Sequence, residues 1–263
     1  MQVNELKVAI KAAISASEII SESYGNFRQM EFKSDIDVVT DVDFKCEEVI
    51  TEVLRAETPE YGIIAEEGTN FPGEKVWIVD PLDGTINFSH SFPLFGPSIG
   101  LCKGDEVLLG VVADPIRQEL FYATKGNGAF VNDLYNQGEP RQIHVSKVRK
   151  MKQAIVAAGL PYNREGEYYQ RMGRNFIALE KEIQSVRKLG MAALTMAYIG
   201  AGRLEGYIVS GANSWDMAGG IAIIEEAGGK ITDYEGKPYS LESKEWLASN
   251  GYLHQNLVDI YKN

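Results

Sequence analysis

The sequence predicts a mixed α/β protein made of two packed halves. Apolar residues recur at helical spacing in the first segment, a run of short alternating strands fills the middle, and strands then alternate with helices to the end. The 263 residues are enough for a sizeable core and one or two domains.

Val3, Leu6, Ile10, Ala13, Ile14 and Ile20 lie on one helical face, and Gly25 ends that helix. A second helix is expected from about Asp43 to Glu57, closed before Pro59. Short strands follow at Gly62–Ala65 and Val76–Val79. Ser98–Cys102, Glu106–Ala113, Glu119–Ala123 and Ala129–Val131 read as a β-meander, separated by Lys103-Gly-Asp105, Asp114-Pro115 and Gly126-Asn-Gly128. Beyond residue 140, Ala154–Ala158, Ile183–Val186, Gly206–Val209 and Lys230–Thr232 read as strands. Helices fall near 165–181, 191–200, 216–227 and 252–262. With no linker, repeat or low-complexity stretch, the halves 1–140 and 141–263 are expected to share one site.

The 44% hydrophobic and 24% charged content excludes disorder and coiled coil. Asp and Glu outnumber Lys and Arg 37 to 26, and the net charge of −11 argues against nucleic acid or anionic membrane as partner. Two cysteines, Cys46 and Cys102, cannot build a disulfide framework or a thiolate zinc site and read as buried small residues. No signal peptide opens the chain, and no apolar run reaches the roughly 20 residues of a membrane span, so a soluble cytoplasmic protein is expected.

Two motif matches are decoys. Gly96-Pro-Ser98-Ile-Gly100 fits a serine-hydrolase elbow, but Pro93 and Pro97 interrupt its approach and a strand, not a helix, follows the serine. Asp35-Ile-Asp37-Val-Val39 resembles a haloacid dehalogenase nucleophile loop, yet its lead-in Met30-Glu-Phe-Lys-Ser34 is too polar for the buried strand that loop requires. No P-loop or complete dinucleotide fingerprint is present.

The strong signal is Trp77-Ile-Val-Asp80-Pro-Leu-Asp83-Gly-Thr85-Ile-Asn-Phe88. An apolar strand enters an acidic turn stiffened by Pro81, where Asp80, Asp83 and the Leu82 carbonyl can converge. Gly84 and Thr85 open a short helix whose first N–H groups suit an anion. Cation ligands beside an anion site suit phosphoryl transfer; a capped surface turn is the alternative at this stage. Three further acidic features shift the balance: Glu66-Glu67 at the end of a strand, Asp216 at the start of a glycine-rich helix, and Thr40-Asp-Val-Asp43 opening the second helix. An all-oxygen donor set points to Mg²⁺ or Mn²⁺.

These segments resemble the inositol monophosphatase family of Mg²⁺-dependent, lithium-sensitive phosphatases. Trp77–His90 matches the first family signature and Trp215–Gly229 the second, with Glu66-Glu67 and Thr40–Asp43 in order, from about residue 5 to 250. The resemblance implies a layered α-β-α-β-α fold, usually dimeric, binding two or three Mg²⁺. It gives Glu66, Asp80 and the Leu82 carbonyl to a first cation, and Asp80, Asp83 and Asp216 to a second. Asp83, Gly84 and Thr85 are implied at the phosphate, with Asp43 and Thr85 orienting the attacking water beside Glu66 and Glu67 supporting its neighbours. Two positions depart from the animal enzymes: their substrate-binding glutamate aligns with Val209, and a hydroxylated residue aligns with Met191, beside Ala192. Arg187, Lys188 and the Pro161–Arg164 stretch are expected near the mouth of the substrate pocket.

The expected activity is Mg²⁺-dependent hydrolysis of a small phosphorylated metabolite, of the inositol monophosphate type with broad specificity. A sugar bisphosphate or a 2′-phosphorylated dinucleotide is the alternative substrate. A non-catalytic sensor on the same fold is the rival from another class, and the presence of Glu66, Thr85 and Asp43 argues against it.

Overall fold

The computed structural model describes residues 4–27, 29–136, 138–161 and 164–262. Val3, and Tyr162 and Asn163 of the expected pocket mouth, lie outside the described residues.

Helix α1 (Glu5–Ser23) opens on Asn4, whose side chain accepts the Lys7 N–H at 3.2 Å. Its buried face, Val8, Ala9, Ala12, Ala13, Ala16 and Ile20, is mostly alanine, and α2 (Asp41–Glu57) packs close enough for the Cys46 thiol to reach the Ala16 carbonyl at 3.7 Å. Between the helices, β1 (Met30–Phe32) and β2 (Val38–Thr40) form a hairpin.

The chain then lays down β3 (Gly62–Ala65), β4 (Asn70–Phe71), β5 (Val76–Asp83), the short helix α3 (Thr85–Ser89), and strands β6 (Gly96–Lys103), β7 (Glu106–Asp114), β8 (Glu119–Thr124), β9 (Ala129–Asp133) and β10 (Arg141–Ile143). They form an eight-stranded sheet in the order β10-β9-β8-β7-β6-β5-β3-β4, antiparallel except where β3 runs parallel to β5. A second sheet collects β11 (Ile155–Gly159), β12 (Ser185–Arg187), β13 (Gly206–Ser210), β14 (Lys230–Thr232) and β15 (Glu245–Ser249) in the order β12-β11-β13-β15-β14. Helices α4 (Glu167–Glu182), α5 (Ala192–Gly200), α6 (Ser214–Glu226) and α7 (His254–Tyr261) complete the chain.

Three apolar clusters define the layers. Helices α1 and α2 cover one face of the large sheet, through residues such as Ile20, Ile50, Trp77 and Val111. Helices α5 and α6 fill the space between the sheets, with Met196, Ala218 and Ile223 against Val112 and Phe121 on one side and Trp246 on the other. Helices α4 and α7 close the outer face of the small sheet with Met172, Leu179, Leu257 and Tyr261. The α-β-α-β-α layering implied by the resemblance is therefore present.

Glycine sets how closely α6 seats on the large sheet. A Cβ on Gly110 would fall 2.1 Å from the Gly219 carbonyl oxygen, and one on Gly219 would fall 2.3 Å from Ser98 Oγ. Only bare backbone permits this approach, and it carries the first turn of α6, with Asp216, toward the end of β5.

The structure adds strands that the sequence did not predict and agrees with other readings. Strand β15 lies inside the small sheet, between β13 and β14, although Trp246-Leu-Ala-Ser249 was not expected as a strand. Its run is buried on both faces and shows no alternation. The β1–β2 hairpin, β4 and β10 were also unexpected; each is two or three residues long, too short for a periodic signal. The boundary expected at 140/141 falls just before β10, which still pairs with β9. Strand β6 runs unbroken through a fully buried Ser98, which removes the hydrolase elbow. Asp35 and Asp37 occupy the hairpin turn between β1 and β2, which removes the dehalogenase loop. Cys46 and Cys102 are free and buried. Among the described residues no helix is long and apolar enough to cross a membrane.

Candidate active site

The site begins with a break in strand register. In the β5–β6 ladder Asp80 pairs with Ser98 and Asp83 with Gly96, so three steps on β5 face two on β6. Residues two apart share a face, whereas residues three apart do not. The extra residue restores the parity and brings Asp80 and Asp83 to the same side. Within this bulge the Leu82 N–H donates to Asp80 Oδ1 at 3.0 Å, which fixes the carboxylate inside its own turn.

Two other elements end beside it. Because β3 is parallel to β5, both finish at the same sheet edge, and Glu66 follows β3 directly, its N–H donating to the Val79 carbonyl at 3.2 Å. Asp216 is in the first turn of α6, where Oδ2 accepts the Asn213 N–H at 2.6 Å in a reciprocal cap. Carboxylate oxygens of Glu66, Asp80 and Asp216 lie within 4.8 Å of one another. Asp83 lies outside this set; its Oδ2 accepts the Ala193 N–H at 2.7 Å, so it serves the start of α5, where Met191 supplies no side-chain cap.

Burial and crowding dominate the electrostatics. Asp80 is pushed well above the ordinary carboxylate range, first by burial and then by the charges of Glu66, Asp83 and Asp216. Asp83 is raised by burial and by Asp216. Asp216 is pushed up to about 7 by burial, with Glu66 adding to the shift. Converging, partly desolvated carboxylates whose repulsion a cation would relieve, all with hard oxygen donors, fit a divalent metal ion. Lys33 of the β1–β2 turn reaches the rim of this cluster, donating to Glu66 at 3.0 Å and Glu67 at 2.6 Å. Burial raises Glu67 to about 7.

A hydroxyl–carboxylate pair stands beside the cluster. Asp43 Oδ2 accepts both the Thr40 N–H at 2.8 Å and the Thr40 hydroxyl at 2.5 Å, and Oδ1 accepts the Thr85 hydroxyl at 2.9 Å. The same Thr85 hydroxyl lies 3.0 Å from the Leu82 carbonyl. Asp43 is almost fully buried, and burial raises it to about 6 despite these bonds. Gly84, at φ +92°, makes the turn that delivers Thr85.

A cleft of about 600 Å³ opens onto Asp83 and Asp216. Arg164, Met191, Ala192 and Val209 line it. Arg187 does not: its guanidinium turns back to the Val186 carbonyl at 2.9 Å, and its neighbour Lys188 lines the cleft instead. Arg187 is the last residue of β12, whereas Lys188 lies just beyond the strand. Sequence reasoning missed Asn87, Tyr207 and Ser210 in this wall. Asn87 was visible inside the first signature; its Nδ2 donates to the Leu94 and Leu189 carbonyls at 2.8 and 2.9 Å and ties α3 to the wall.

The raised carboxylates have a thermodynamic consequence. A folded-state value above the unfolded one, about 4 for a carboxylate, gives stability that is complete at low pH and is lost as pH climbs through the folded value. Metal-free protein is expected to lose melting temperature between about pH 5 and pH 8. The loss should be smaller in Asp216→Asn, which removes a group raised to about 7. Melting scans in chelator check this; equal slopes for the two proteins would contradict it.

A family model described as the inositol monophosphatase family matches residues 1–262. Over 258 residues the chain is 36% identical to a Thermotoga maritima protein named fructose-1,6-bisphosphatase/inositol-1-monophosphatase, covering 98% of this chain and 95% of that one. It is 35% identical over 264 residues to an inositol-1-monophosphatase of Mesorhizobium japonicum, covering 98% and 96%. Among solved structures, a Thermotoga maritima IMPase superimposes with a TM-score of 0.88 at 35% identity, covering 98% and 97% of the chains. The extragenic suppressor protein SuhB from Bartonella henselae gives 0.90 at 34%, covering 98% of each.

Proposed function

This chain belongs to the inositol monophosphatase family and is a phosphoric monoester hydrolase; from that premise we propose that it works with two or three Mg²⁺ ions, Mn²⁺ being an acceptable substitute. Glu66, Asp80 and the Leu82 carbonyl hold the first and Asp80, Asp83 and Asp216 the second. The observation that carries this reading is the convergence of Glu66, Asp80 and Asp216 within 4.8 Å, beside the Thr85–Asp43 hydrogen bond. Residues 1–140 supply most of the ligands, and residues 141–263 add Asp216 and most of the cleft wall.

When bound, the cations supply Lewis-acid neutralisation of phosphoryl charge and acidify the attacking water. The chain supplies placement. Asp43, held at both oxygens by Thr40 and Thr85, takes the Thr85 proton in a hydrogen bond, which leaves the Thr85 oxygen lone pairs to accept from a water and aim it. The backbone N–H groups of Gly84 and Thr85, with Asp83 alongside, sit where the phosphate docks. The same reading includes a homodimer, lithium sensitivity and a cytoplasmic setting, carried by the family resemblance. Its partner is a small phosphorylated metabolite rather than nucleic acid or membrane, in keeping with the net charge of −11.

On substrate, we propose a broad phosphatase that accepts inositol monophosphate without strong preference. Met191 and Val209 present apolar atoms to the cleft, and an apolar wall leaves no polar group unpaired when the wrong ligand binds. Arg164 and Lys188 line the same cleft and favour substrates with a second phosphate, such as a sugar bisphosphate or 2′-phosphorylated dinucleotide. That the Thermotoga relative is named a fructose-1,6-bisphosphatase as well as an inositol-1-monophosphatase supports this direction. Phosphate release should be compared for inositol 1-phosphate, fructose 1,6-bisphosphate and NADP. Values of kcat/KM within about tenfold are expected, and Arg164→Ala should lower those for the doubly phosphorylated substrates. A preference for inositol 1-phosphate of about a hundredfold, untouched by the substitution, would contradict the proposal.

A further inference from the structure

Glu47 belongs to none of the acidic motifs, yet it is a buried carboxylate with both oxygens committed. It lies one turn beyond Asp43 on α2, on the same helix face, and is 6% exposed. Oε2 accepts the Glu67 N–H at 2.7 Å and Oε1 the Thr69 N–H at 2.8 Å. The two donors flank Gly68, whose φ of +122° lets the chain turn sharply after Glu66. On its other side Glu66 is tied to β5 through the Val79 carbonyl. The turn carrying Glu66 is thus held from the sheet and from α2.

The choice of residue is expensive. Two turn N–H groups need acceptors, but neutral acceptors would satisfy them without burying another negative charge near Asp43, Glu66 and Glu67. A carboxylate accepting two short N–H bonds holds its donors more firmly than an amide would. The element that supplies it is also the one that carries Asp43 to Thr85 at 2.9 Å. One rigid helix face therefore places the Thr85–Asp43 pair and the Glu66 turn at a fixed separation.

We propose that Glu47 is a positioning residue, which sets Glu66 for the cation by clamping the backbone of the Glu66–Thr69 turn. This rests on the reading of Glu66 as a ligand, and the experiment separates the two. Glu47→Gln keeps the size but turns an NH₂ toward one of the two donors. Glu47→Asp keeps the charge but withdraws the acceptors by one methylene. Both are to be titrated with Mg²⁺ by calorimetry after metal stripping, beside wild type and Glu66→Gln, and assayed for the Mg²⁺ dependence of phosphate release.

Each Glu47 variant is expected to bind Mg²⁺ about tenfold or more weakly, the effect typical of groups that hold a metal's ligands. The Mg²⁺ concentration for half-maximal rate should rise in parallel, while kcat at saturating Mg²⁺ stays near wild type. A merely structural role would lower the melting temperature without this split between affinity and turnover. Should one variant fail to fold, the other carries the test, since each disturbs the clamp differently. If Glu66→Gln binds Mg²⁺ like wild type, the ligand reading fails. If Glu66→Gln is weakened while the Glu47 variants bind normally, the clamp is overturned. Normal binding by Glu47→Asp alone overturns it too, since charge without reach would then suffice.

Discussion

Asp80→Asn is expected to lower turnover by well over a hundredfold, because groups that only hydrogen-bond to a metal's ligands already cost about 10–100-fold when removed. Asp80 is the one side chain given to both cations in the proposed arrangement, and it stands within 4.8 Å of Glu66 and Asp216. The substitution keeps the shape and the acceptor: an Asn Oδ1 still receives the Leu82 N–H, now at 3.0 Å, so the bulged turn survives. It removes a buried charge pressed by three other carboxylates. The metal-free variant should therefore melt at a higher temperature than metal-free wild type near pH 8, while Mg²⁺ should raise its melting temperature less. Activity falling as stability rises is the signature of a residue kept for chemistry against its electrostatic cost. If the variant turned over normally, or melted lower without metal, Asp80 would be serving the fold.

Much of this site could be read from the chain because its chemistry depends on punctuation. Pro81 and Gly84 mark the turn, and the carboxylates sit at the ends of β3 and β5 and the start of α6, where apolar text stops. What escaped was decided by distance in space or by a half-turn of side chain. Asp83 was visible, but its bond to the Ala193 N–H, 110 residues away, was not. That bond depends on α5 opening at Met191, which brings no capping group of its own. Arg187 and Lys188 are adjacent cations in the sequence, and only the fold shows that Lys188, just past β12, lines the cleft while Arg187 turns back to the Val186 carbonyl. Glu47 carries no motif of its own, since its partners are backbone N–H groups, which the sequence does not distinguish from any others. Strand β15 was lost because Trp246, Leu247 and Ala248 are all buried, and a strand covered on both faces has no alternation to detect.

The largest effect of all is expected from removing the cations. Among the described residues Ser98 is sealed inside β6 and both cysteines are buried, and the hydroxyls of Thr85 and Ser210 are already engaged, Thr85 with Asp43 and Ser210 with Tyr234 and Glu245. In the proposed arrangement the phosphate lies among Asp43, Glu66, Asp80, Asp83 and Asp216, and bound cations offset that crowd of carboxylates. Phosphate release by metal-stripped protein, measured in excess chelator and again after Mg²⁺ is restored, tests this most directly. No turnover above background in chelator and full recovery with Mg²⁺ is the expected result; undiminished turnover in chelator would contradict the metal-dependent site.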